Sequence, residues 1–280
     1  MLPAGIHTLI RQALEEDLGG GDHTSLACIP ANARGSARLL VKSPGVLAGV
    51  ELAEAIAEIF DERLHLRVLI QDGARVQPGD IAFTITGPSR SIVGVERVLL
   101  NFMQRMSGIA TITRAFVDAV QGTRCRVADT RKTTPALRSI EKWAVRIGGG
   151  TNHRMGLYDM VLIKDNHADF CGGLPQAIRS AQEYLATHAL DLKIEVECRN
   201  ARELEQVLAA GGVQRIMLDN FTPSELKLAV DRIGSRYETE ASGGITLDTA
   251  REYASTGVDL ISVGALTHSA VAMDLSLKAM

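Results

Sequence analysis

Apolar and polar positions along this chain change rhythm twice. From Gly5 to Leu18 apolar residues recur at Ile6, Leu9, Ile10, Ala13 and Leu14, a helical spacing that stops at Gly19-Gly20-Gly21. Asp22, His23 and Thr24 then read as the opening of an extended region, with His23 a structural residue on a polar loop. Between Ala37 and Ile85 the runs shorten to strand length. Two apolar runs flank a Ser43-Pro44-Gly45 turn, Glu51 to Phe60 has a helical period, and the following strands are joined by Asp72-Gly73 and Pro78-Gly79 turns. Arg90 to Val120 is long and mostly apolar, with Ile92, Val95, Val98, Leu99, Phe102, Met103, Met106 and Ile109 at three- and four-residue spacing, which predicts one helix or two burying a wide face.

After Gly122 the rhythm becomes strand, then helix, repeated. Predicted strands are Cys125 to Ala128, Met160 to Ile163, Lys193 to Val196, Arg215 to Leu218, Tyr237 to Ala241 and Leu260 to Val263. Between them Pro175 to Thr187, Ala201 to Ala210, Pro223 to Ile233 and Leu247 to Ser255 read as helices, with start signals such as Thr222-Pro223 and Thr246. Such alternation predicts a parallel β/α barrel or an open α/β sheet. Asp129, Lys164, Glu197, Asp219, Ser242-Gly243-Gly244 and Gly264 all follow apolar strands directly, at the carboxyl ends where barrels place their chemistry.

Composition narrows the function. The chain has 280 residues, 46% hydrophobic and 22% charged, with a net charge of -3, the profile of a soluble globular protein with a sizeable core. That balance and only 4% aromatics argue against nucleic acid as a partner. Cys28, Cys125, Cys171 and Cys198 are widely spaced with no zinc-ligand pattern, and no apolar run reaches membrane-spanning length, so the expectation is a cytoplasmic protein with reduced thiols. The Asp-Gly and Pro-Gly wording around residues 72–80 is similar to lipoyl-carrier domains, yet no lysine stands at a hairpin tip, so it is taken as scaffold.

Against the overall acidity, the stretch from Ala128 to His167 holds seven Lys/Arg and four Asp/Glu. Its basic groups, Arg131, Lys132, His153, Arg154 and Lys164, come from two strand ends and a Gly148-Gly149-Gly150 turn, a pattern suited to a polyanionic ligand. Glu197 and Asp219 end successive strands and would hold Mg²⁺, bind ribose hydroxyls or stabilise a cationic sugar; Glu195 projects to the same face as Glu197 and is an alternative to it. The glycines at 243, 244 and 264 suit phosphate cradles. Three classes stay open on this basis: a phosphosugar transferase, an aldolase with Lys164 as Schiff-base amine, and a non-catalytic anion binder.

DTRKT, GGGTNHR and VLIKDNH, together with EDLGGGDHTS, ERVLLNFMQRMSGIAT, IEVE, MLDN, SGGI and VGALTHS in that family's order, resemble the signature segments of the quinolinate phosphoribosyltransferases. The resemblance spans nearly the whole chain. It implies transfer of phosphoribose from phosphoribosyl diphosphate to quinolinate with decarboxylation, assisted by Mg²⁺. It also implies an N-terminal α/β sandwich domain over residues 1–108, with residues 266–280 packing against it, and an incomplete β/α barrel of the type II phosphoribosyltransferase kind over residues 109–265. By the same resemblance Arg131, His153, Arg154 and Lys164 bind the dicarboxylate, with Arg97 reaching in from the partner of a homodimer. Lys132, Glu197, Asp219, Ser242, Gly243, Gly244 and Gly264 contact phosphoribosyl diphosphate, with Lys132, Glu197 and Asp219 catalytic and the two acids on the metal. Cys198-Arg199 departs from the acid that often continues the glutamate strand, which puts the local loop in question.

Overall fold

A computed structural model describes residues 2–280. In chain order its elements begin with α1 (Ile6–Leu18), α2 (His23–Cys28), β1 (Arg34–Val41), β2 (Gly45–Val46), α3 (Val50–Phe60), β3 (His65–Val68), β4 (Arg75–Val76), β5 (Ile81–Pro88) and α4 (Ser89–Ala119). They continue with β6 (Arg126–Ala128), α5 (Arg138–Ile147), β7 (Val161–Ile163), α6 (Asp165–Cys171), α7 (Leu174–Thr187), β8 (Ile194–Cys198), α8 (Ala201–Ala210), β9 (Arg215–Asp219) and α9 (Pro223–Ile233). β10 (Glu238–Ser242), α10 (Leu247–Ser255), β11 (Leu260–Ser262), α11 (Ala265–His268) and β12 (Leu275–Ala279) complete the chain. No helix of the described residues is long and apolar enough to cross a membrane.

The chain forms two compact units, neither continuous in sequence: Met1–Arg114 with Thr133–Gly149 and Leu266–Met280, and Ala115–Lys132 with Gly150–Ala265. The division between them falls within α4, after Arg114.

In the first unit an antiparallel sheet runs β12-β1-β5-β3. Leu39 pairs with Phe83 and Leu277, and Ala37 with Ile85, so alternate apolar residues of three strands share one buried face. α4 is a single helix, against which the C-terminal segment lies closely: the Met273 N–H donates to Gln104 O at 3.0 Å, and a methyl group at Gly108 would overlap the Val271 carbonyl. Arg105 pairs with fully buried Glu141 of α5 at 2.8 Å and donates to the Thr267 and Ala270 carbonyls. The extended region expected from Asp22 is instead α2, because Asp22 acts as an N-cap whose Oδ1 accepts the Ser25 N–H at 3.0 Å.

In the second unit six parallel strands pair in the order β6-β11-β10-β9-β8-β7. Among the described residues β6 and β7 share no ladder, so the sheet stays open where a closed barrel would join. Connecting helices start on chemistry readable in the chain: Asn200 caps α8, and Thr222 with Glu225 forms a capping box ahead of Pro223 in α9.

Candidate active site

Parallel register sorts the second unit's strand residues onto two unlike faces. Ile163, Val196, Ile216, Leu218, Ala241 and Ile261 are buried on one, which is apolar. On the other, Glu195, Arg215 and Glu238 stand side by side, and Glu197, Met217 and Glu240 form the next row toward the carboxyl ends. A parallel sheet covered on both sides normally reads as continuous hydrophobic strands. Here one face carries charge.

That charge is neutralised by contact. Arg215 Nη1 lies 3.0 Å from Glu240 and 3.6 Å from Glu195, and its Nε lies 2.9 Å from Glu238. Arg126 reaches the other oxygen of Glu238 at 2.5 Å. His153 Nε2 completes the group at 3.0 Å from Glu195 and 3.4 Å from Glu240, both fully buried. Burial, then the neighbouring Glu240 charge, pushes Glu195 up to about 7. Burial also opposes ionisation of Glu240, yet hydrogen bonding to His153 and the charges of His153 and Arg215 hold it below the ordinary carboxylate range. For His153 burial disfavours protonation while the two carboxylates favour it, and the proton the ring carries lies on Nε2, facing them, because Nδ1 accepts the Arg154 N–H. Among the described residues His153, Glu195 and Glu240 are also the one group near enough to share a metal ion, and the Arg215 guanidinium already supplies the cation there.

The predicted site residues, Arg97 apart, stand above this layer or at its upper edge, where the strands end. Asp129, fully buried after β6, accepts the His153 N–H at 2.9 Å and the Asn152 side-chain amide at 2.5 Å. His153 Nδ1 accepts the Arg154 N–H at 2.8 Å, and Arg154 Nη1 donates to Met160 O at 3.1 Å. The Arg154 guanidinium sits below its ordinary pKa, first because of burial and then because of the like charge of Arg131. Lys132 is exposed on the same loop, its N–H donating to Thr130 Oγ1 at 3.0 Å.

Lys164 Nζ pairs with Glu197 at 2.8 Å, an ion pair in place of the apolar pocket that a Schiff-base amine needs. Glu197 is only 7% exposed. On the next strand Asp219 accepts the Asn220 side-chain amide at 2.6 Å, while Asn220 adopts φ 59 and donates its N–H to Ser242 O at 2.8 Å. Asn tolerates this left-handed backbone, so the turn that holds the carboxylate also ties it to the following strand. Gly243, at φ 99, lies against Asn220 so closely that any Cβ would overlap it. The Val263 N–H donates to Ala128 O at 2.9 Å, which sets Gly264 beside the loop that follows β6.

Arg97 lies far from these residues in sequence and is exposed on α4, in the first unit. Arg199 turns to Glu203 at 2.7 Å and to Asp169 at 3.3 Å, and Cys198 is buried. Residue alternation puts Cys198 on the opposite sheet face from Glu197. Arg215, Glu238 and Glu240 were missed as site residues, although charges at alternate positions in RIMLD and ETEAS signal an ionic sheet face.

Replacing Arg215 with Met keeps the volume and removes the cation that three carboxylates share. Arg215→Met should therefore cost about 3–5 kcal/mol in urea denaturation, whereas Lys227→Met, at an exposed pair with Asp231, should cost at most ~1 kcal/mol. Equal costs would contradict the role given to the buried layer.

Comparison with known proteins agrees along the whole chain. Residues 22–107 match the family model for the quinolinate phosphoribosyl transferase N-terminal domain, and residues 109–278 that for the C-terminal domain. Quinolinate phosphoribosyltransferase [decarboxylating] 1b of Nicotiana tabacum is 47% identical over 285 residues, covering 96% of this chain and 81% of that protein. Nicotinate-nucleotide pyrophosphorylase [carboxylating] of Mycobacterium leprae is 43% identical over 274 residues, covering 96% of this chain and 95% of that protein. The crystal structure of NadC from Streptococcus pyogenes superposes with a TM-score of 0.93 at 37% identity, covering 100% of this chain and 99% of that one. With both domain models matched in order and relatives of this similarity over almost its full length, the chain belongs to the quinolinate phosphoribosyltransferase family.

Proposed function

We propose that this protein transfers phosphoribose from phosphoribosyl diphosphate to the ring nitrogen of quinolinate, releasing diphosphate and carbon dioxide and forming nicotinate mononucleotide for NAD synthesis. The observation that carries this reading is the gathering of Arg131, Lys132, Arg154 and Lys164 with the acids Glu197 and Asp219 at the carboxyl edge of one parallel sheet, Lys164 and Glu197 already in contact at 2.8 Å. A planar dicarboxylate matches the forked donors of guanidiniums. Family membership supplies the substrate class.

The residues divide by chemistry. Arg131, Arg154 and Lys164, with Arg97 from the partner of a homodimer, hold the carboxylates of quinolinate. Ser242, Gly243, Gly244 and Gly264 offer backbone N–H groups to the 5′-phosphate, Gly243 having no room for a side chain. As the anomeric C–O bond breaks, its electron pair leaves with diphosphate, which Lys132 stabilises, and positive charge develops on the sugar between Glu197 and Asp219. The pyridine lone pair then forms the new C–N bond. Loss of carbon dioxide leaves an electron pair on the carbon beside the cationic nitrogen, whose charge stabilises it until a proton is added. Glu197 and Asp219 are hard oxygen donors that, with substrate phosphates, suit Mg²⁺, which would supply charge neutralisation for the departing diphosphate.

A reducing compartment suits the chain's four free cysteines, of which Cys125 and Cys198 are buried with thiols pushed up to about 12 by burial. We place the enzyme in the cytoplasm on that ground.

Carboxyl-labelled quinolinate should release labelled carbon dioxide only when phosphoribosyl diphosphate and Mg²⁺ are both present, and nicotinate should not be turned over. Turnover of nicotinate, or release without phosphoribosyl diphosphate, would overturn the substrate assignment. The partner contribution has its own test. Mixing inactive Arg97→Ala and Lys132→Ala chains should restore activity in up to about one quarter of all sites, because half of randomly paired dimers are mixed and each has one intact site. No recovery, with mixed dimers verified by mass, would place Arg97 in its own chain's site.

A further inference from the structure

His153 stands among the basic residues of the site, but its ring is not free to serve as one of them. The side chain is 6% exposed. Its Nε2 points into the ionic layer, toward Glu195 at 3.0 Å and Glu240 at 3.4 Å, and a carboxylate ligand approaching that nitrogen would meet two carboxylates already there. Its Nδ1 accepts the Arg154 N–H at 2.8 Å, so this nitrogen carries a lone pair on that side and repels an anion. Because Nδ1 accepts a backbone N–H, the ring's proton sits on Nε2, the nitrogen that faces the two carboxylates.

The connections run onward from the ring. Arg215 pins Glu240 at 3.0 Å from below, and the His153 backbone is held by the Asp129 carboxylate at 2.9 Å. The Arg154 peptide is thereby fixed to the buried layer through the imidazole, while Met160 O fixes its guanidinium at 3.1 Å. Resting on the quinolinate reading above, we infer that His153 is a positioning residue: it transmits the rigidity of the Glu195–Glu240–Arg215 layer to the Arg154 main chain, and so aims the Arg154 guanidinium at the dicarboxylate without touching it. A substrate contact at either ring nitrogen would break one of the bonds that hold Arg154 in place.

The test combines a double-mutant cycle with a spectroscopic signature in the full-length enzyme. Quinolinate affinity is measured by calorimetry for the unaltered chain, His153→Leu, Arg154→Ala and the double variant, with phosphoribosyl diphosphate affinity as the control for an intact fold. His153→Leu should weaken quinolinate roughly 10-fold, yet add less than about 2-fold in the Arg154→Ala background, since residues acting through one another are non-additive. His153→Asn, whose side-chain oxygen replaces Nδ1 as acceptor, should recover most of the loss. Nitrogen-15 spectra of histidine-labelled enzyme, assigned by His153→Asn, should show a pyridine-type Nδ1 and a pyrrole-type Nε2 that persist when quinolinate is added. Should His153→Leu fail to fold, these spectra and the Asn variant carry the test alone. Additive losses, an Asn variant as weak as Leu, or an Nδ1 that becomes protonated on binding would overturn the positioning role while leaving the activity in place. Failure of the unaltered enzyme to bind quinolinate at all would overturn the activity reading and this role with it.

Discussion

Arg215 is a guanidinium placed inside a parallel sheet, and three carboxylates from the strands on either side close around it. Removing such charges from water costs several kcal/mol for each ion unless every one finds a partner, so this group tolerates little rearrangement. Slipping β8 or β10 by one residue against β9 would turn Glu195 or Glu240 into the apolar face beneath the helices. The buried ion pairs therefore fix the register of β8, β9 and β10, and register in turn decides which side chains emerge at the strand ends.

What emerges is ordered by charge. Next to the acidic rows comes His153, which takes part in them through one nitrogen and supports Arg154 through the other. Beyond it stand the guanidiniums of Arg131 and Arg154, the Lys164–Glu197 pair, and Asp219 within its Asn220 turn. Cations for carboxylates and acids for a sugar cation lie on neighbouring strand ends, an arrangement suited to joining a dicarboxylate ring to a phosphosugar. The positions are held by backbone ladders and buried pairs and not by long loops, so little reorganisation is needed as charge develops.

Much of this was legible in the chain. The β/α alternation located each strand to within a residue or two, and α8, α9 and α10 fall on their expected spans because Asn200, Thr222 and Thr246 are start signals that act locally. Polar residues after apolar runs placed Lys164, Glu197 and Asp219 at the carboxyl ends of their strands, where the structure has them. The ionic layer was not recognised, because the partners of Arg215 lie 20 to 25 residues away and only register brings them together. α5 was obscured for a related reason. Its Glu141 and Lys142 look like surface charges in a basic stretch, yet both are fully buried, Glu141 by Arg105 far earlier in the chain. Asp22 misled in the opposite direction, since a cap for a six-residue helix resembles the polar start of a strand.

A buried acidic layer thus supports a cationic rim suited to gripping quinolinate at the carboxyl edge of the sheet. A crystal structure of the enzyme with quinolinate bound would show whether that rim is the site. Both carboxylates should lie on Arg131, Arg154 and Lys164, with His153 still bonded to the Arg154 amide and facing Glu195, and the ring nitrogen turned toward Glu197 and Asp219. Quinolinate seated away from the guanidinium pair, or bonded to the His153 ring in place of the Arg154 amide, would contradict that role for the rim.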